Sequence, residues 1–180
     1  MKRFYYNFLF IYVLGLFLGS SNELFSQNSV DFSFEKTAPN HSVLVLPSWH
    51  PLIKELEQSD SLSSDLILGF EKDSLDTGDM IGVFHLSKNG AFNCAGSLAW
   101  KANDFNMLPV WGEYPPGSDN GMEMGEQMIW LAQKKDNVIY EIEVSYQKPL
   151  MANYLKDGAS AVLGMKLIPS SVLRPKMLIK

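Results

Sequence analysis

The apolar residues of this chain occur in short runs, and turn dipeptides separate one run from the next. After residue 40 no run approaches the roughly ten residues that a core helix needs, and several are rich in β-branched side chains. The clearest turn signal is Asn89-Gly90, which stands between Phe84-His85-Leu86 and Phe92-Asn93-Cys94. This pattern indicates a protein built from short antiparallel strands.

Eight segments have the length and composition of strands. They are 42–46, 66–70, 80–86, 92–100, 107–111, 127–132, 138–146 and 160–168. In 138–146 the even positions are apolar and most odd positions are polar, as in an antiparallel strand with one solvated face. Pro109 indicates an edge or irregular strand, because it has no N–H to donate.

These strands predict an all-β protein with a single antiparallel β-sandwich domain, and a barrel is the alternative topology. Leu52, Ile53 and Leu56 have helical spacing, so we expect a short helix or an insertion near 52–58. With 180 residues, of which 46% are hydrophobic, the chain can bury one core. We expect the sandwich over 41–170, a leader over 28–40 and a peripheral tail over 171–180.

The N-terminus has the pattern of a secretory signal peptide. Lys2 and Arg3 precede the apolar run 8–18, and small polar residues follow at 19–21. The apolar run is shorter than the roughly 20 residues of a membrane span, so we expect cleavage between 20 and 28 rather than an anchor. The predicted product has no transmembrane span after cleavage and is secreted, periplasmic or attached to the cell surface.

The charge of the chain excludes a nucleic-acid partner. Removal of residues 1–27 takes away Lys2, Arg3 and Glu23, which changes the formal net charge from -5 to -6. An acidic product has no basic patch for phosphates, so we expect an extracellular protein or a glycan as partner. Cys94 is the only cysteine, which excludes an internal disulfide.

Five residues are predicted to shape turns rather than a ligand site. They are Gly78, Asp79, Gly82, Asn89 and Gly90, and the Asp79 carboxylate is expected to accept hydrogen bonds from turn amides. A two-residue type I′ turn at Asn89-Gly90 would need a positive φ at both positions. That turn places Val83 opposite Gly96 and His85 opposite Cys94.

A combination of motifs resembles a module that recurs in exported proteins of Bacteroidota, often beside type IX secretion sorting domains. The residues that carry the resemblance lie between 40 and 126: Asn40-His41-Ser42-Val43, Gly78-Asp79-x-Ile81-Gly82-Val83-Phe84, Asn89-Gly90, Cys94-Ala95-Gly96, Trp100, Val110-Trp111-Gly112, Asn120-Gly121 and Gly125-Glu126. The similarity covers 41–167 and implies an extracellular β module without a named catalysis. Members typically read Trp-Gly-Asp-Asp, whereas this chain has Trp111-Gly112-Glu113-Tyr114.

The Gly/Pro/Asx-rich loop from Trp111 to Glu126 is the predicted functional loop, since such loops carry function more often than strands do. Glu113, Asp119, Asn120 and Glu126 provide oxygen atoms of the kind that Ca²⁺ prefers, although they match no EF-hand spacing. The competing interpretation is that these residues cap backbone amides. A ligand would be held by Trp111, Glu113, Tyr114 and Asp119. No cofactor is expected apart from a possible Ca²⁺.

Three functions are compatible with the sequence. The first is a non-catalytic extracellular module for structure or protein contact. The second is a carbohydrate-binding module, in which Trp100, Trp111, Trp130 and Tyr114 would provide stacking rings. The third and weakest is a hydrolase with a Cys94–His85 pair as nucleophile and base. The sequence contains no phosphate-binding loop, no HExxH and no Gly-x-Ser-x-Gly, so we do not expect an enzyme.

Overall fold

The structure is a computed structural model that describes residues 30–58, 69–70, 75–147 and 152–169. The signal-peptide, tail and cleavage predictions therefore lie outside the described residues, as does the predicted strand segment 66–68. The described strands are β1 (Asn40–Val45), β2 (Gly69–Phe70), β3 (Met80–Leu86), β4 (Phe92–Ala99), β5 (Asn106–Trp111), β6 (Ile129–Gln133), β7 (Ile139–Tyr146) and β8 (Ala159–Pro169). The one helix among these residues is α1 (Pro51–Glu57).

The all-β prediction and the short helix are confirmed, but the sandwich prediction is wrong. The strands form one mixed sheet in the order β4-β3-β6-β7-β8-β1-β5, with β2 paired to β8. The pairs β1–β8 and β2–β8 are parallel, and the other pairs are antiparallel. The sheet curls until its two end strands face each other, so the molecule is a nearly closed barrel. Such curling buries one face of a single sheet without a second sheet.

The end strands β4 and β5 approach each other most closely at Gly96 and Pro109. A Cβ atom on Gly96 would lie 2.1 Å from the Pro109 carbonyl oxygen, so only glycine fits there. Pro109 pairs with Ser42 on its other side and lies in a terminal strand of the sheet. Proline at this position costs no ladder hydrogen bond toward β4, because no ladder joins β4 to β5.

The interior of the barrel is one hydrophobic core. Its buried side chains include Val43, Ile81, Val83, Trp100, Leu108, Val110, Trp130, Ile142 and Val162. Outside the barrel, Ile53 of α1 packs with Leu46 and Leu163. Helix α1 begins at Pro51, and the His50 side chain accepts a hydrogen bond from the Leu52 amide as its N-cap. No helix in the described parts of the chain is long and apolar enough to cross a bilayer.

A segment over 30–39, here called the strap, packs on the outside of β3, β4 and β6. Val30, Phe32 and Phe34 contact the cluster of Phe84, Cys94 and Leu131. The ring of Phe32 meets that of Phe84 edge to face, with centroids 5.0 Å apart. Ser97 Oγ donates to the Phe32 carbonyl, and the Gly112 amide donates to the Pro39 carbonyl. The strap, which the sequence assigns to a leader, thus runs from β4 to the end of β5.

The β3–β4 hairpin differs from the predicted two-residue turn. Of Asn89 and Gly90, only Gly90 takes a positive φ, at 82°. The Gly90 amide donates to the Ser87 carbonyl, and the Ser87 amide donates to the Ala91 carbonyl, which closes a three-residue loop. The Asn89 side-chain oxygen accepts from the Ala91 amide at 3.0 Å, which holds Asn89 outside the left-handed region.

This longer loop changes the register near the tip. His85 pairs with Asn93 and Phe84 pairs with Cys94, so the predicted His85–Cys94 pair is wrong. A β-bulge at Val83/Phe84 then shifts the ladder by one residue, and Val83 pairs with Gly96 as predicted.

Candidate functional site

The loop after β5 is held in place by backbone hydrogen bonds. The Glu113 amide donates to the Met122 carbonyl, and the Met122 amide donates to the Trp111 carbonyl, both at 3.0 Å. A Cβ atom on Gly121 would lie 2.5 Å from the Gly112 carbonyl carbon, so the crossing of these two chain segments requires glycine at 121. The base of the predicted functional loop is therefore rigid, and its tip projects from the barrel.

Asn120 joins the tip of this loop to the strap. Its side-chain oxygen accepts from the Tyr114 amide at 3.0 Å and from Ser118 Oγ. Its amide nitrogen donates to the Tyr114 carbonyl and to Glu35 Oε2, each at 3.0 Å. Every hydrogen of the Asn120 amide is thus engaged, which fixes the distance between the loop and the strap.

Asp119 joins the same loop to the tip of the β3–β4 hairpin. Its carboxylate accepts from the Lys88 amide at 3.2 Å, and its backbone carbonyl accepts from Asn93 Nδ2 at 3.3 Å. The Lys88 ammonium group donates to the Gly117 carbonyl at 3.1 Å. Asp119 has a φ of 60°, a conformation that Asp tolerates better than most residues do.

His85 is buried next to this junction. Its Nδ1 atom lies 4.0 Å from Asp119 Oδ1. Its Nε2 atom is buried and has no hydrogen-bond partner among the described residues. His85 is 2% exposed, whereas the Asp119 side chain is 30% exposed, so the contact lies at the boundary between the interior and solvent.

The strap, the loop and the start of β4 border an open groove of about 480 Å³, within the size range of ligand sites. Its lining combines carboxylates, small polar groups and aromatic rings: Asp31, Ser33, Phe34, Glu35, Phe92, Asn93, Cys94 and Asn120. We call it the strap groove. Sequence reasoning missed it, although Val30, Phe32 and Phe34 alternate with polar residues as strand residues do.

The four predicted ligand-binding residues differ in accessibility. Tyr114 is 60% exposed at the loop tip. Trp111, Glu113 and Asp119 are half-buried. Trp111 Nε1 and Glu113 Oε2 are both buried and lack hydrogen-bond partners in the described chain. A buried polar atom without a partner costs about 1–3 kcal/mol, and neither atom is open to a ligand in this arrangement.

The four predicted metal ligands do not converge on one point. Asn120 joins the loop to the strap, Asp119 binds the hairpin, and Glu126 Oε2 accepts from the Glu123 amide of its own turn at 3.0 Å. Within the described residues no group of three or more His, Cys, Asp or Glu side chains could hold a metal ion. The Asp119 and Glu126 carboxylates and the Asn120 amide serve backbone contacts here, and Ca²⁺ binding stays a prediction.

Two of the four aromatic residues considered for sugar stacking lie in the core. Trp100 and Trp130 are each 3% exposed. Trp130 Nε1 donates to the Tyr146 hydroxyl at 2.7 Å, and burial raises the pKa of Tyr146 to about 12. The prediction of a stacking surface built from all four aromatic residues is therefore wrong. Tyr114 and Trp111 remain as candidates for stacking.

Cys94 and His85 are not arranged as a nucleophile and its base. Cys94 shares its face of the hairpin with Phe84, whereas His85 follows Phe84 in the strand and projects to the opposite face. Burial raises the pKa of the Cys94 thiol to about 11. At neutral pH this thiol is protonated and packs as a small apolar group.

The residues predicted for turns have structural contacts. Gly78 has a φ of 98°, and its amide donates to the Trp100 carbonyl. Asp79 is 2% exposed, and its carboxylate accepts from the Asp76 amide at 2.8 Å and from the Lys135 amide at 3.2 Å. A Cβ atom on Gly82 would lie 2.9 Å from the Phe84 ring and 3.1 Å from the Phe32 ring. Glycine at 82 therefore lets the strap approach the sheet.

His41 and Ser160 form a second buried polar pair that sequence reasoning missed. His41 Nε2 lies 2.8 Å from Ser160 Oγ, and His41 Nδ1 lies 3.1 Å from the Leu155 backbone nitrogen. Burial lowers the pKa of His41, so the ring is neutral at pH 7. Both side chains are at most 2% exposed. The pair joins β1 to β8 and is closed to a substrate.

An exposed aromatic pair lies at the other end of the barrel. Trp49 and Phe105 are 45% and 44% exposed, and their rings meet edge to face with centroids 5.6 Å apart. Trp49 Nε1 donates to the Asn103 carbonyl at 2.9 Å, which fixes the indole.

No protein-family model, no curated protein and no solved structure matches this chain. A function is therefore inferred from the geometry of the strap groove and of the loop beside it.

Proposed function

We propose that this protein is an exported, non-catalytic module that contacts another protein outside the cytoplasm. The N-terminal signal-peptide pattern and the resemblance to exported Bacteroidota modules support the location. The acidic composition is compatible with an extracellular protein partner and disfavours nucleic acid.

The observation that carries this proposal is the joining of three distant segments into one contact surface. Asn120 binds Glu35 of the strap, and Asp119 binds Lys88 and Asn93 of the hairpin. The resulting strap groove is lined by Asn120, whose side chain is hydrogen-bonded to the backbone of the exposed residue Tyr114. Such preorganisation lowers the entropic cost of binding, because the segments are already ordered before a partner arrives.

The polar pairs nearest to a catalytic arrangement support a non-catalytic role. The Cys94 thiol has a pKa of about 11 and faces away from His85. The His41–Ser160 pair is buried where no substrate reaches it.

Site-specific cross-linking in cells that make the protein tests this proposal. A photo-reactive phenylalanine analogue replaces Tyr114, which preserves an exposed aromatic side chain. The matched control places the same analogue at Glu55, an exposed position on α1 at the opposite end of the barrel. We expect a discrete protein adduct from position 114 and none from position 55. No protein adduct at 114, or equal adducts at both positions, would contradict the proposal.

A carbohydrate-binding function is the second candidate, favoured by the exposed ring of Tyr114, which lies three residues after the half-buried Trp111. Sugar rings stack on exposed aromatic side chains. A glycan array and tryptophan fluorescence titrated with polysaccharide test this function. Binding that is lost in Tyr114→Ala would support it, and an array without a hit together with unchanged fluorescence would exclude it.

A further inference from the structure

The side chains of the strap groove offer hydrogen-bond acceptors almost exclusively. Ser33 Oγ donates to Asp31 Oδ2 at 2.7 Å, and both amide hydrogens of Asn120 are used by Glu35 and the Tyr114 carbonyl. One hydrogen of Asn93 Nδ2 goes to the Asp119 carbonyl. Among the hydroxyl and amide groups of the lining, only the second Asn93 hydrogen is left as a donor.

The acceptors, in contrast, are open. Glu35 Oε1 and Asn93 Oδ1 have no hydrogen-bond partner in the described parts of the chain, and the Asp31 carboxylate receives only the two bonds from Ser33. Those two bonds lower the pKa of Asp31, so it stays ionised in mildly acidic surroundings. Asp31 and Glu35 are both exposed, and they give the groove two negative charges.

This inventory distinguishes between classes of ligand. A sugar hydroxyl both donates and accepts, so a groove with almost no free donor satisfies only half of its bonds. A guanidinium group has five N–H donors, no acceptor and a fixed positive charge. It also stacks on aromatic rings, and Phe34 and Phe92 provide two rings in the lining.

We propose that the strap groove binds an arginine side chain of an extended peptide segment in the partner protein, held between the Asp31 and Glu35 carboxylates and the rings of Phe34 and Phe92. This inference rests on the proposed protein-contact function and names the chemistry of the partner. The acceptor-rich lining and its charge favour arginine over a glycan at this groove.

Peptide binding to the purified mature protein tests the inference. A fluorescent Gly/Ser peptide with two arginines is compared with the same peptide carrying citrulline, which keeps the shape of arginine and removes its charge. We expect anisotropy to show binding of the arginine peptide, weakening as salt is raised, and no binding of the citrulline peptide. Equal binding of the two peptides, or no binding of either, would overturn the inference.

Variants locate the binding. Glu35→Gln is expected to weaken binding of the arginine peptide by about twofold to fivefold, since an exposed ion pair contributes at most about 1 kcal/mol. Asp31→Asn/Glu35→Gln should weaken it further, and Phe92→Leu removes a ring while it keeps an apolar side chain. Glu55→Gln makes the same charge change at the other end of the barrel and should leave binding unchanged. If Glu55→Gln weakens binding as much as Glu35→Gln does, the groove is not the site.

The experiments distinguish failure of the protein-contact function from failure of the arginine-binding inference. A protein adduct at position 114 without arginine-peptide binding would retain the contact function and reject arginine as its chemistry. Absence of the adduct would reject the contact function itself. Thermal unfolding of each variant identifies any loss of binding that arises from unfolding.

Discussion

At the residue scale, Gly96 shows how one side chain determines whether the barrel can close. A Cβ atom there would lie 2.1 Å from the Pro109 carbonyl oxygen, a contact with backbone that cannot rotate away. We predict that Gly96→Ala lowers the free energy of unfolding by about 1–3 kcal/mol, because β4 and β5 must separate. Urea unfolding measures this loss.

The matched control is Gly90→Asn at the hairpin tip. Unlike Gly96, Gly90 has a positive φ, but a Cβ atom there would meet no other atom within 4 Å. Asn tolerates that conformation, so we expect a change of no more than about 0.5 kcal/mol. Equal losses in the two variants would show that the close approach at Gly96 does not matter.

Cys94 lowers the stability of the folded protein at alkaline pH. Burial raises the pKa of its thiol from 9.0 to about 11, so the folded state holds this proton more tightly than the unfolded state does. The corresponding stability is fully present below pH 9 and is lost as the pH rises toward 11. The loss amounts to roughly 2–3 kcal/mol.

Urea unfolding as a function of pH, measured for the wild type and for Cys94→Ala, tests this loss of stability. The variant should lose less stability than the wild type between pH 9 and 11, while the raised pKa of Tyr146 contributes equally to both proteins. Parallel pH profiles for the two proteins would contradict the assignment to Cys94.

At the scale of elements, the strap is the segment whose role changes most between sequence and structure. Phe32 and Phe34 cover Phe84, Cys94 and Leu131, which would otherwise face solvent. We predict that Phe32→Ala lowers the free energy of unfolding by about 1.5–3 kcal/mol, through lost burial and the lost edge-to-face contact with Phe84.

Thiol reactivity provides an independent measure of the same loss. In the folded wild type Cys94 should react slowly with a maleimide, and Phe32→Ala should react faster because the strap no longer covers the thiol. Phe105→Ala removes an exposed phenylalanine at the other end of the barrel and serves as control. Unchanged reactivity in Phe32→Ala would show that the strap does not protect this face.

The strands themselves were predictable, because local alternation and turn residues specify them. The runs around Val43, Val83 and Ile142 lie in strands close to the predicted bounds. The hairpin register was wrong near its tip, since the side chain of Asn89 favours a three-residue loop over the type I′ turn. The Asn-Gly dipeptide alone does not determine which local hydrogen bond forms at the hairpin tip.

At the scale of the whole molecule, closure of the sheet could not be predicted from periodicity. The parallel pairing of β1 with β8 joins residues more than 100 positions apart, and the Gly96–Pro109 approach brings the two end strands together. Both features depend on contacts between residues far apart in the chain. The alternation of apolar and polar residues is the same in the strands of a sandwich and of a barrel, so it cannot distinguish the two folds. The sequence predicted a loop between Trp111 and Glu126, but not its contacts with the strap and the hairpin.

The junction of strap, loop and hairpin follows from that closure. Glu35, Lys88 and Asn120 come from three separate segments, and only the curled sheet places them side by side. Because Asn120 and Asp119 hold all three segments in one arrangement, we expect a substitution in one segment to affect the other two.

The central claim is that this surface, and the strap groove in particular, is where the partner protein binds. Its most direct test is the photo-cross-link from position 114 in cells, repeated in the Asp31→Asn/Glu35→Gln background and in the Glu55→Gln background. We predict that the yield of the adduct falls in the first background and is unchanged in the second. An adduct that is unchanged when both groove carboxylates are neutralised would contradict the claim.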